Sequence, residues 1–483
     1  MVEREQIIAA YERGPEAVVA LVEEVVVSFQ HQIEQLQAQI KQLQDQLALN
    51  SRNSGKPPSS DSFGKQTKSS RTPSGKKSGA QPGHSGRTLK AVETPDFIER
   101  HRATACRNCG QSLPRVPGEE SPERRQVFDL PPLELQVTEH RVVQQTCSHC
   151  RMLNCGEFPA TVVPGVQYGP GVKALVTYLV EGQLLPWQRS SEMFADLFGQ
   201  PIAEGTIANA IHQCSDGLEE FEEELKQALI KSEVAHFDET GLYVVGRRDW
   251  LHVAGTAQLT HYGTHGKRGS AATDAIGIFP EFEGRAIHDA WSPYFGYECE
   301  HGLCNAHHLR ELTFVHEQMQ QDWAKEMKDL LLEMKTAVAQ AVAGDQSSLP
   351  PLEQSRFEES YDRILSKGLA LETNKPPPPS GRRGRAKQSK SKNLLDRLSQ
   401  RKAETLSFMP DFRVPFDNNQ AERDLRMIKT QQKVSGCFRS ETGAKAFCRI
   451  RGAISTLKKQ GRNVLAALNK VFTGSILSVL PEG

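Results

Sequence analysis

Three short acidic segments that lie far apart in the chain constrain its fold most. Asp238 and Asp289 each end an apolar, strand-like run, and Glu422 lies one turn into a helix with a basic face. Carboxylate oxygens are the ligands that hard divalent cations such as Mg²⁺ prefer. Two such ions can hold the attacking and leaving oxygens of a phosphodiester displacement. We therefore predict a fold in which Asp238, Asp289 and Glu422 converge on two Mg²⁺ or Mn²⁺ ions, and the remaining question is whether the rest of the chain handles DNA.

Strand alternation selects one of two neighbouring acids in the first segment. Successive side chains of a strand point to opposite faces. Asp238 therefore shares a face with His236 and Thr240, whereas Glu239 shares the other face with Phe237. We interpret Asp238 as the site residue.

Helical spacing gives the third acid a basic neighbourhood. Residues three and four apart share a helix face, which aligns Glu422 with Arg426, Lys429 and Lys433. A metal-binding carboxylate followed by a basic stripe suits a helix that runs beside a phosphate backbone. The alternative is a solvated helix with a weakly stabilising Glu422–Arg426 ion pair.

Composition limits the class of protein. The chain has 483 residues, enough for three or four units, and a mean hydropathy of −0.51. It shows no apolar signal core and no stretch of membrane-spanning length, so we expect a cytoplasmic protein without a membrane partner. The 59 basic and 59 acidic residues cancel. A zero net charge does not exclude DNA binding, because the position of the charges matters more than their sum.

A heptad pattern over residues 22–50 predicts a coiled coil and hence a homo-oligomer. The alternative is an amphipathic helix packed within its own chain. The seam, with alternating spacings of four and three, consists of Val22, Val26, Phe29, Ile33, Leu36, Ile40, Leu43 and Leu47.

Two basic segments have the composition of DNA-contacting or linking sequence. Residues 51–95 are rich in Ser, Gly and Pro and cannot bury enough apolar surface to fold alone. They are either a basic arm that lies along phosphates or a solvated linker. Residues 372–392 predict an exposed basic loop. The candidate DNA-binding residues are Lys56, Lys65, Lys68, Lys76 and Lys77 in the first segment and Arg382, Arg383, Arg385 and Lys387 in the second.

Two CxxC pairs, Cys106/Cys109 and Cys147/Cys150, predict one structural Zn²⁺ held by four thiolates in a zinc-ribbon-like module. A strand-rich segment between the pairs predicts a β-hairpin flanked by the two knuckles. Disulfides are a weak alternative in a reducing compartment. Cys155 lies outside the paired spacing, and His149 sits inside a knuckle.

The remaining chain alternates between helix and strand. Residues 165–232 read as helices, including a helix, a turn at 199–203 and a second helix; this is either a helix-turn-helix DNA reader or an ordinary helical subdomain. Strands are predicted at Val234–Val245, Trp250–Thr256, Gln258–Tyr262 and Gly284–His288, and helices at residues 305–345 and 417–472.

These local patterns together resemble bacterial insertion-sequence transposases of the DDE type, specifically the insertion-sequence sixty-six family. The similarity runs in collinear order through nearly the whole chain. Besides the two CxxC pairs, the similar stretches are Asn53–Asp61, Gly79–Arg87, Phe237–Gly241, His288–Trp291, Cys304–Leu312, Val414–Arg426 and Val434–Arg439.

The resemblance implies a leucine zipper, a zinc-binding module, an RNase H-like catalytic domain and a short C-terminal helical module. It places Asp238, Asp289 and Glu422 at the three catalytic positions. Asp289 and Glu422 are 133 positions apart, which is long for a bare RNase H-like fold. We therefore expect a helical insertion at about 312–412. His307 and Arg310 then contact either phosphate or the metal shell, or pack in the core.

We therefore predict a multidomain chain of α+β and α/β units. Its expected parts are a helical coiled coil (1–50), a basic linker (51–95), a zinc-ribbon-like module (96–160), a helical, DNA-binding region (161–232), an RNase H-like core with a helical insertion (233–440), and a C-terminal helical module (441–483).

The predicted activity is cleavage of one DNA strand at each element end, followed by strand transfer to target DNA. The expected partners are double-stranded DNA, with terminal inverted repeats and a target site, and two small accessory proteins of the same element. We expect a bacterial, nucleoid-associated location. The alternative is a non-catalytic, dimeric, zinc-containing DNA-binding regulator, which explains the first half of the chain but not the three acids.

Overall fold

A five-stranded mixed sheet forms the centre of the chain. A computed structural model describes residues 4–54, 79, 89–113, 124–373 and 388–479. The chain divides into two compact units, one of Met1–Ser70, Gly165–Ser191 and Ile202–Gly483, the other of Arg71–Pro164 and Glu192–Pro201. The sheet belongs to the first unit.

The strands of the sheet are β3 (Val234–Val244), β4 (Arg247–Gly255), β5 (Thr260–His265), β6 (Arg285–His288) and β7 (Glu300–Leu303). Their order in the sheet is β5-β4-β3-β6-β7. The first three strands in this order are antiparallel neighbours, whereas β6 and β7 run parallel to β3. The four strands predicted from the sequence are confirmed within a few residues. The fifth, β7, is short and polar, and its sequence Glu-His-Gly-Leu gives no strand pattern.

One face of this sheet is covered by two helices, α13 (Asn419–Ser435) and α14 (Glu441–Lys459). Leu242 and Val244 of β3 share an apolar core with Leu425 and Ile428 of α13. Because even-numbered residues of β3 face this core, Asp238 points to the same side of the sheet as α13.

Helices that follow β7 build a second core beside the sheet, centred on the fully buried Trp323 and Tyr361. Residues 374–387, between two of these helices, lie outside the described part of the chain. The helices are α8 (Asn305–Met319), α9 (Asp322–Ala343), α10 (Pro351–Thr373), α11 (Lys390–Gln400) and α12 (Lys402–Leu406).

Helices that precede the sheet in the chain also pack against helices that follow it. The predicted helix, turn and helix are present, and Ile207, Ala210 and Ile211 form a buried face as expected. That second helix packs against the first helix after residue 165 and against both C-terminal helices. A role in reading DNA stays a prediction. The helices that pack together are α3 (Pro170–Thr177), which continues into a π-helical turn (Tyr178–Gly182), α5 (Glu204–Asp216), α6 (Glu219–Ile230), α14 and α15 (Val464–Phe472). The first helix of the predicted pair is α4 (Trp187–Phe198).

The N-terminal region consists of α1 (Arg4–Glu12) and the long α2 (Pro15–Leu47). The eight seam residues of the heptad pattern all lie on α2 and are between 47% and 77% exposed. The structure therefore does not bury the seam within the described part of the chain. No helix among the described residues is both long enough and apolar enough to span a bilayer.

The β-hairpin predicted between the two CxxC pairs is absent from the described residues of that segment, 110–113 and 124–146. The pairing instead crosses the second knuckle, where β1 (Gln144–Thr146) pairs antiparallel with β2 (Leu153–Cys155). A single bridge between Ala105 and Ser112 crosses the first knuckle. The alternating stretch before β1, residues 133–143, forms no ladder among the described residues. Val137 and Val143 of this stretch are 90% and 65% exposed, so the described residues leave both apolar side chains largely uncovered.

Candidate active site

Two adjacent parallel strands carry the first two acids to one edge of the sheet. In the register of β3 and β6, His236 pairs with Ile287, and each Asp lies two residues further along. Asp289 follows the last residue of β6, and Ala290 turns the chain with a left-handed φ of 69°. The Asp289 carboxylate accepts a hydrogen bond from the Trp291 backbone N–H at 3.0 Å, which fixes it in this turn.

Asn418 attaches the helix that carries the third acid to β3. Its buried side chain donates from Nδ2 to the Phe237 carbonyl at 2.8 Å. Its Oδ1 lies 2.7 Å from His236 Nδ1, and its backbone N–H donates to Cys304 Sγ at 3.1 Å. Because Nδ2 is already used as a donor, Oδ1 accepts and His236 Nδ1 carries the proton. These bonds place the first turn of α13, with Glu422, beside Asp238.

Two side chains of α8 face the third acid. Arg310 Nη1 lies 3.4 Å from Glu422 Oε1, and His307 Nε2 lies 3.9 Å from the same oxygen. Burial and the Arg310 charge lower the pKa of His307, which favours the neutral imidazole. Its Nδ1 atom is buried and has no hydrogen-bond partner among the described residues. Both predicted accessory residues therefore lie at the third acid, and Glu422 pairs with Arg310 rather than with Arg426.

The electrostatics of this cluster fit a cation site. Burial raises the pKa of Asp238 well above its usual range, and the charges of Glu239, Asp289 and Glu422 raise it further. A buried carboxylate surrounded by like charges is destabilised unless a cation joins it. However, no three His, Cys, Asp or Glu side chains of the described residues stand close enough to coordinate one ion. The carboxylates thus share one region without being drawn together to coordination distance.

Glu239 lies on the opposite face from Asp238 and has a structural role. Its side chain is 1% exposed and accepts hydrogen bonds from the Tyr294 hydroxyl at 2.5 Å and from Arg268 Nε at 2.8 Å. Burial raises the pKa of Glu239 although both hydrogen bonds oppose this. The Arg268 guanidinium in turn lies 4.3 Å from the Trp291 ring centroid. This network ties β3 to the turn that carries Asp289.

Sequence reasoning missed Asn418, Glu239 and Arg268 as positioning residues. Their partners are 29 to 182 positions away in the chain. The one local signal was that Asn418 lies inside the acidic segment Asp417–Arg423.

Of the three basic side chains predicted along α13, one already has a hydrogen-bond partner within the chain. Arg426 and Lys433 are exposed, whereas Lys429 donates to the Gly241 carbonyl at 2.9 Å. The other predicted DNA-binding residues, namely Lys56, Lys65, Lys68, Lys76, Lys77, Arg382, Arg383, Arg385 and Lys387, lie outside the described residues.

The two CxxC pairs adopt the same turn. The Cys106 N–H donates to the Gln111 carbonyl at 2.9 Å, and the Cys147 N–H donates to the Met152 carbonyl at 2.8 Å. Backbone N–H groups within each turn lower the pKa of Cys106 and of Cys147, which favours the thiolate that zinc binds. The structure does not bring the two pairs together as one ligand set among the described residues. In small zinc-binding modules the bound metal commonly supplies much of the folding energy.

Comparison with known families decides the identity. Residues 165–446, more than half of the chain, match the model of the transposase IS66 family. The chain belongs to the IS66 transposase family. The match spans the sheet, the helices that follow it and all three acids, so the resemblance read from the sequence is confirmed.

Two further matches cover the N-terminal part of this IS66 family member. Residues 103–151, with all four paired cysteines, match the zinc-finger binding domain of transposase IS66. This match supports zinc binding by the module. Residues 10–90 match a family of unknown function. A comparison with curated proteins found no match.

Proposed function

We propose that this IS66 family member is a DNA transposase that cleaves one strand at each end of its element and joins the freed 3′-hydroxyl to target DNA. The observation that carries the proposal is the convergence of Asp238 and Asp289, on neighbouring parallel strands, with Glu422 on a helix that Asn418 fastens to β3. A sheet with three antiparallel strands followed by two parallel ones supports an RNase H-like core.

Asp238, Asp289 and Glu422 would hold two Mg²⁺ or Mn²⁺ ions. When bound, such ions activate the attacking oxygen and stabilise the leaving oxygen of an in-line displacement at phosphorus. Both proposed steps are displacements of this kind, so one set of carboxylates serves both.

The chain's own groups position the reaction. Asn418 and the Tyr294–Glu239 bond hold the three carboxylate-bearing segments in register. Arg310 balances the Glu422 charge and places a guanidinium at the site, where it can also face a phosphate oxygen. His307, held neutral, offers an unpartnered nitrogen at the same place.

The other proposed parts of the chain bind zinc, a second copy of the chain, and DNA. Cys106, Cys109, Cys147 and Cys150 hold one structural Zn²⁺. Exposed apolar side chains along α2 pair with a second copy of the chain, which would hold two element ends together. The basic segments and the basic side of α13 bind the terminal repeats and target DNA, and two small proteins of the same element act with this one at the nucleoid.

The test is strand cleavage of duplexes that carry an element end, with Mg²⁺ or with a chelator. Wild type should nick the duplex only with Mg²⁺. Asp238→Asn, Asp289→Asn and Glu422→Gln should each lower cleavage by at least about 100-fold while end binding persists, since each keeps its shape but loses a charge that the cations need.

Asp274→Asn is a matched control, because Asp274 is exposed and only accepts from the Tyr297 hydroxyl at 2.7 Å. Near-normal cleavage by any one of the three acid variants would remove that acid from the catalytic set. End binding by wild type without any cleavage would favour the non-catalytic regulator instead.

A further inference from the structure

The similar sequence stretch that begins at Asn53 has no role in the proposed catalysis. In the structure Asn53 lies six residues beyond the end of α2 and is only 2% exposed. Its Nδ2 donates to the Ala48 carbonyl at 3.0 Å, and its Oδ1 accepts from the Asn50 backbone N–H at 2.8 Å. The last carbonyls of a helix have no partner within the helix, so these bonds close the C-terminal end of α2.

Further short-range bonds make residues 48–54 one compact turn, the α2 end turn. Asn50 Oδ1 accepts from the Arg52 backbone N–H at 2.9 Å, and Ser54 Oγ donates to the Asn50 carbonyl at 2.6 Å. Leu47, the last residue of α2, is 77% exposed, whereas every residue of the α2 end turn is half-buried or buried. The chain therefore passes from an exposed helix into a segment of defined, partly buried shape.

Arg52 joins the α2 end turn to α8. Its guanidinium forms an ion pair with Glu317, which lies 265 positions further along the chain. Both residues belong to the same compact unit. The two side chains are 33% and 36% exposed, and one ion pair at such exposure is weak by itself. The preformed turn offsets this weakness, because it presents Arg52 without a further ordering cost.

Glu317 lies on the helix that also faces the third acid. Arg310, whose Nη1 is 3.4 Å from Glu422 Oε1, lies seven residues earlier on α8. Seven residues make almost two helical turns, so Arg310 and Glu317 share one side of α8, about 10 Å apart along its axis. Leu312 and Val315, between them, are buried in the second core and hold α8 in place. The α2 end turn thus contacts an element of the candidate active site.

This contact is important because the covalent connection of α2 to the next helix is long. Leu47, at the end of α2, and Pro170, at the start of α3, are 123 positions apart. The effective concentration of two joined parts falls as the connection between them lengthens. The connection therefore does not by itself set the position of α2, whereas a contact at the end of α2 does.

We propose that the α2 end turn docks α2 onto α8 of the same chain, and so fixes the spacing of two catalytic sheets when two copies pair through α2. The inference rests on the proposed pairing and adds an intramolecular interface to it. Two sheets at a fixed spacing hold two element ends together more readily than two sheets on long tethers, because less freedom is lost on binding.

Hydrogen exchange of the full-length protein, without DNA or metal, tests the docking. Mass spectrometry follows the peptide that contains residues 48–54 in wild type, Arg52→Glu, Glu317→Arg and the double variant. Each single variant places like charges opposite each other and should speed exchange about 3-fold to 10-fold. The double variant restores opposite charges with their positions exchanged. Its exchange should return to within about 2-fold of the wild-type rate.

Gel-shift assays with duplexes that carry one or two element ends test the consequence. Each single variant should form about 3-fold to 10-fold fewer paired-end complexes, and the double variant should recover them. Single-end binding and the oligomer mass from light scattering should stay unchanged in all variants. Glu333→Arg is the matched control. It reverses the charge of an exposed glutamate that pairs with Arg356 at 3.6 Å, and it should change neither exchange nor paired-end complexes.

Three results would overturn the inference. Unchanged exchange in both single variants would exclude the docking, and a double variant no better than the single ones would exclude the pairing of Arg52 with Glu317. Paired-end complexes at the wild-type level despite faster exchange would exclude the role in spacing. Absence of cleavage by wild type, together with the expected exchange and complexes, would overturn only the proposed transposase activity.

Discussion

At the scale of single residues, the candidate site depends on a few side chains that join distant segments. Asn418 contacts both β3 and the residue before α8, so its three hydrogen bonds fix the helix that carries Glu422. On the opposite face of β3, Glu239 accepts a hydrogen bond from the Tyr294 hydroxyl and so joins β3 to the segment that follows Asp289. These buried bonds hold like-charged carboxylates near one another, an arrangement that costs stability unless a cation is bound.

The charge of Asp238 should therefore destabilise the metal-free protein. Its folded-state pKa is raised by burial and by Glu239, Asp289 and Glu422. A raised carboxyl pKa means that ionisation opposes folding, so the cost appears as the pH rises above the usual carboxyl range and disappears at acid pH. In a chelator at neutral pH, Asp238→Asn should raise the melting temperature by about 2–4 °C, the shift expected for roughly 1 kcal/mol.

Mg²⁺ should reverse the order of the melting temperatures of wild type and Asp238→Asn. It should raise the melting temperature of wild type, because it binds only the folded carboxylate cluster, and change that of Asp238→Asn much less. Differential scanning fluorimetry with chelator and with Mg²⁺ measures both effects. Equal stabilisation of the two proteins by Mg²⁺ would show that the ion binds elsewhere.

At the scale of elements, two parts of the chain have features that the described residues leave incomplete. The CxxC turns have the same backbone bonds but do not meet as one ligand set, and α2 exposes its whole apolar seam. The first lacks a core of its own, and the second lacks a partner surface among the described residues.

The zinc module should lose its metal selectively. Purified protein should contain about one zinc per chain, since one tetrahedral site takes four thiolates. Cys109→Ser should remove the zinc and unfold the module locally. Cys155→Ser is the control, because Cys155 lies in β2 outside both turns. Elemental analysis measures the metal content, and equal zinc loss in both variants would contradict the ligand assignment.

The α2 seam should control assembly. Polar substitution of Ile33, Leu36 and Ile40, which are between 52% and 57% exposed, removes about three apolar seam contacts per helix. We expect the oligomer to dissociate, and complexes with two element ends to be lost before single-end binding. Light scattering and gel-shift assays measure the two effects. Matched substitutions on the outer face, at Glu34 and Gln35, should change neither. An unchanged mass after the seam substitutions would exclude a coiled coil.

At the scale of the whole molecule, the net charge is zero, so any attraction to DNA depends on where individual charges lie. Asp238 and Asp289 lie at one edge of the sheet, whereas Arg426, Lys429 and Lys433 are exposed on α13. The two most basic segments lie outside the described residues, and their composition alone supports a role in DNA binding.

Neutralising the basic arm should weaken DNA binding without changing its sequence preference. Lys56, Lys65, Lys68, Lys76 and Lys77 changed to Gln should reduce affinity for terminal-repeat and random duplexes alike. The salt slope should fall by about 0.9 for each lost phosphate contact, because such contacts carry no base information. Affinities for both duplexes across a salt series measure this. Loss on terminal repeats alone would mean that the arm reads bases.

The sequence by itself determined the features that depend on neighbouring residues. Apolar, β-branched runs predicted four of the five strands of the sheet, and helical spacing predicted α13 with Glu422 in its first turn. Short sequence motifs also identified the family. Each motif, around one of the three acids or one of the two CxxC turns, is a continuous stretch of the chain. The strand alternation before Cys147 formed no hairpin in the described residues, because alternation shows only that a segment can pair. The partner strand and the surface that covers it come from the rest of the fold.

Only the tertiary structure decided which of these residues meet. The register of β3 and β6 places Asp238 beside Asp289, and Asn418, 182 positions beyond His236, brings in the helix that carries Glu422. The pairing of Glu422 with Arg310 and that of Arg52 with Glu317 were equally invisible in the chain. A local pattern fixes the conformation of a segment and the side that it buries. The partner across that side is chosen by packing and buried hydrogen bonding over the whole fold, which no short window of sequence contains.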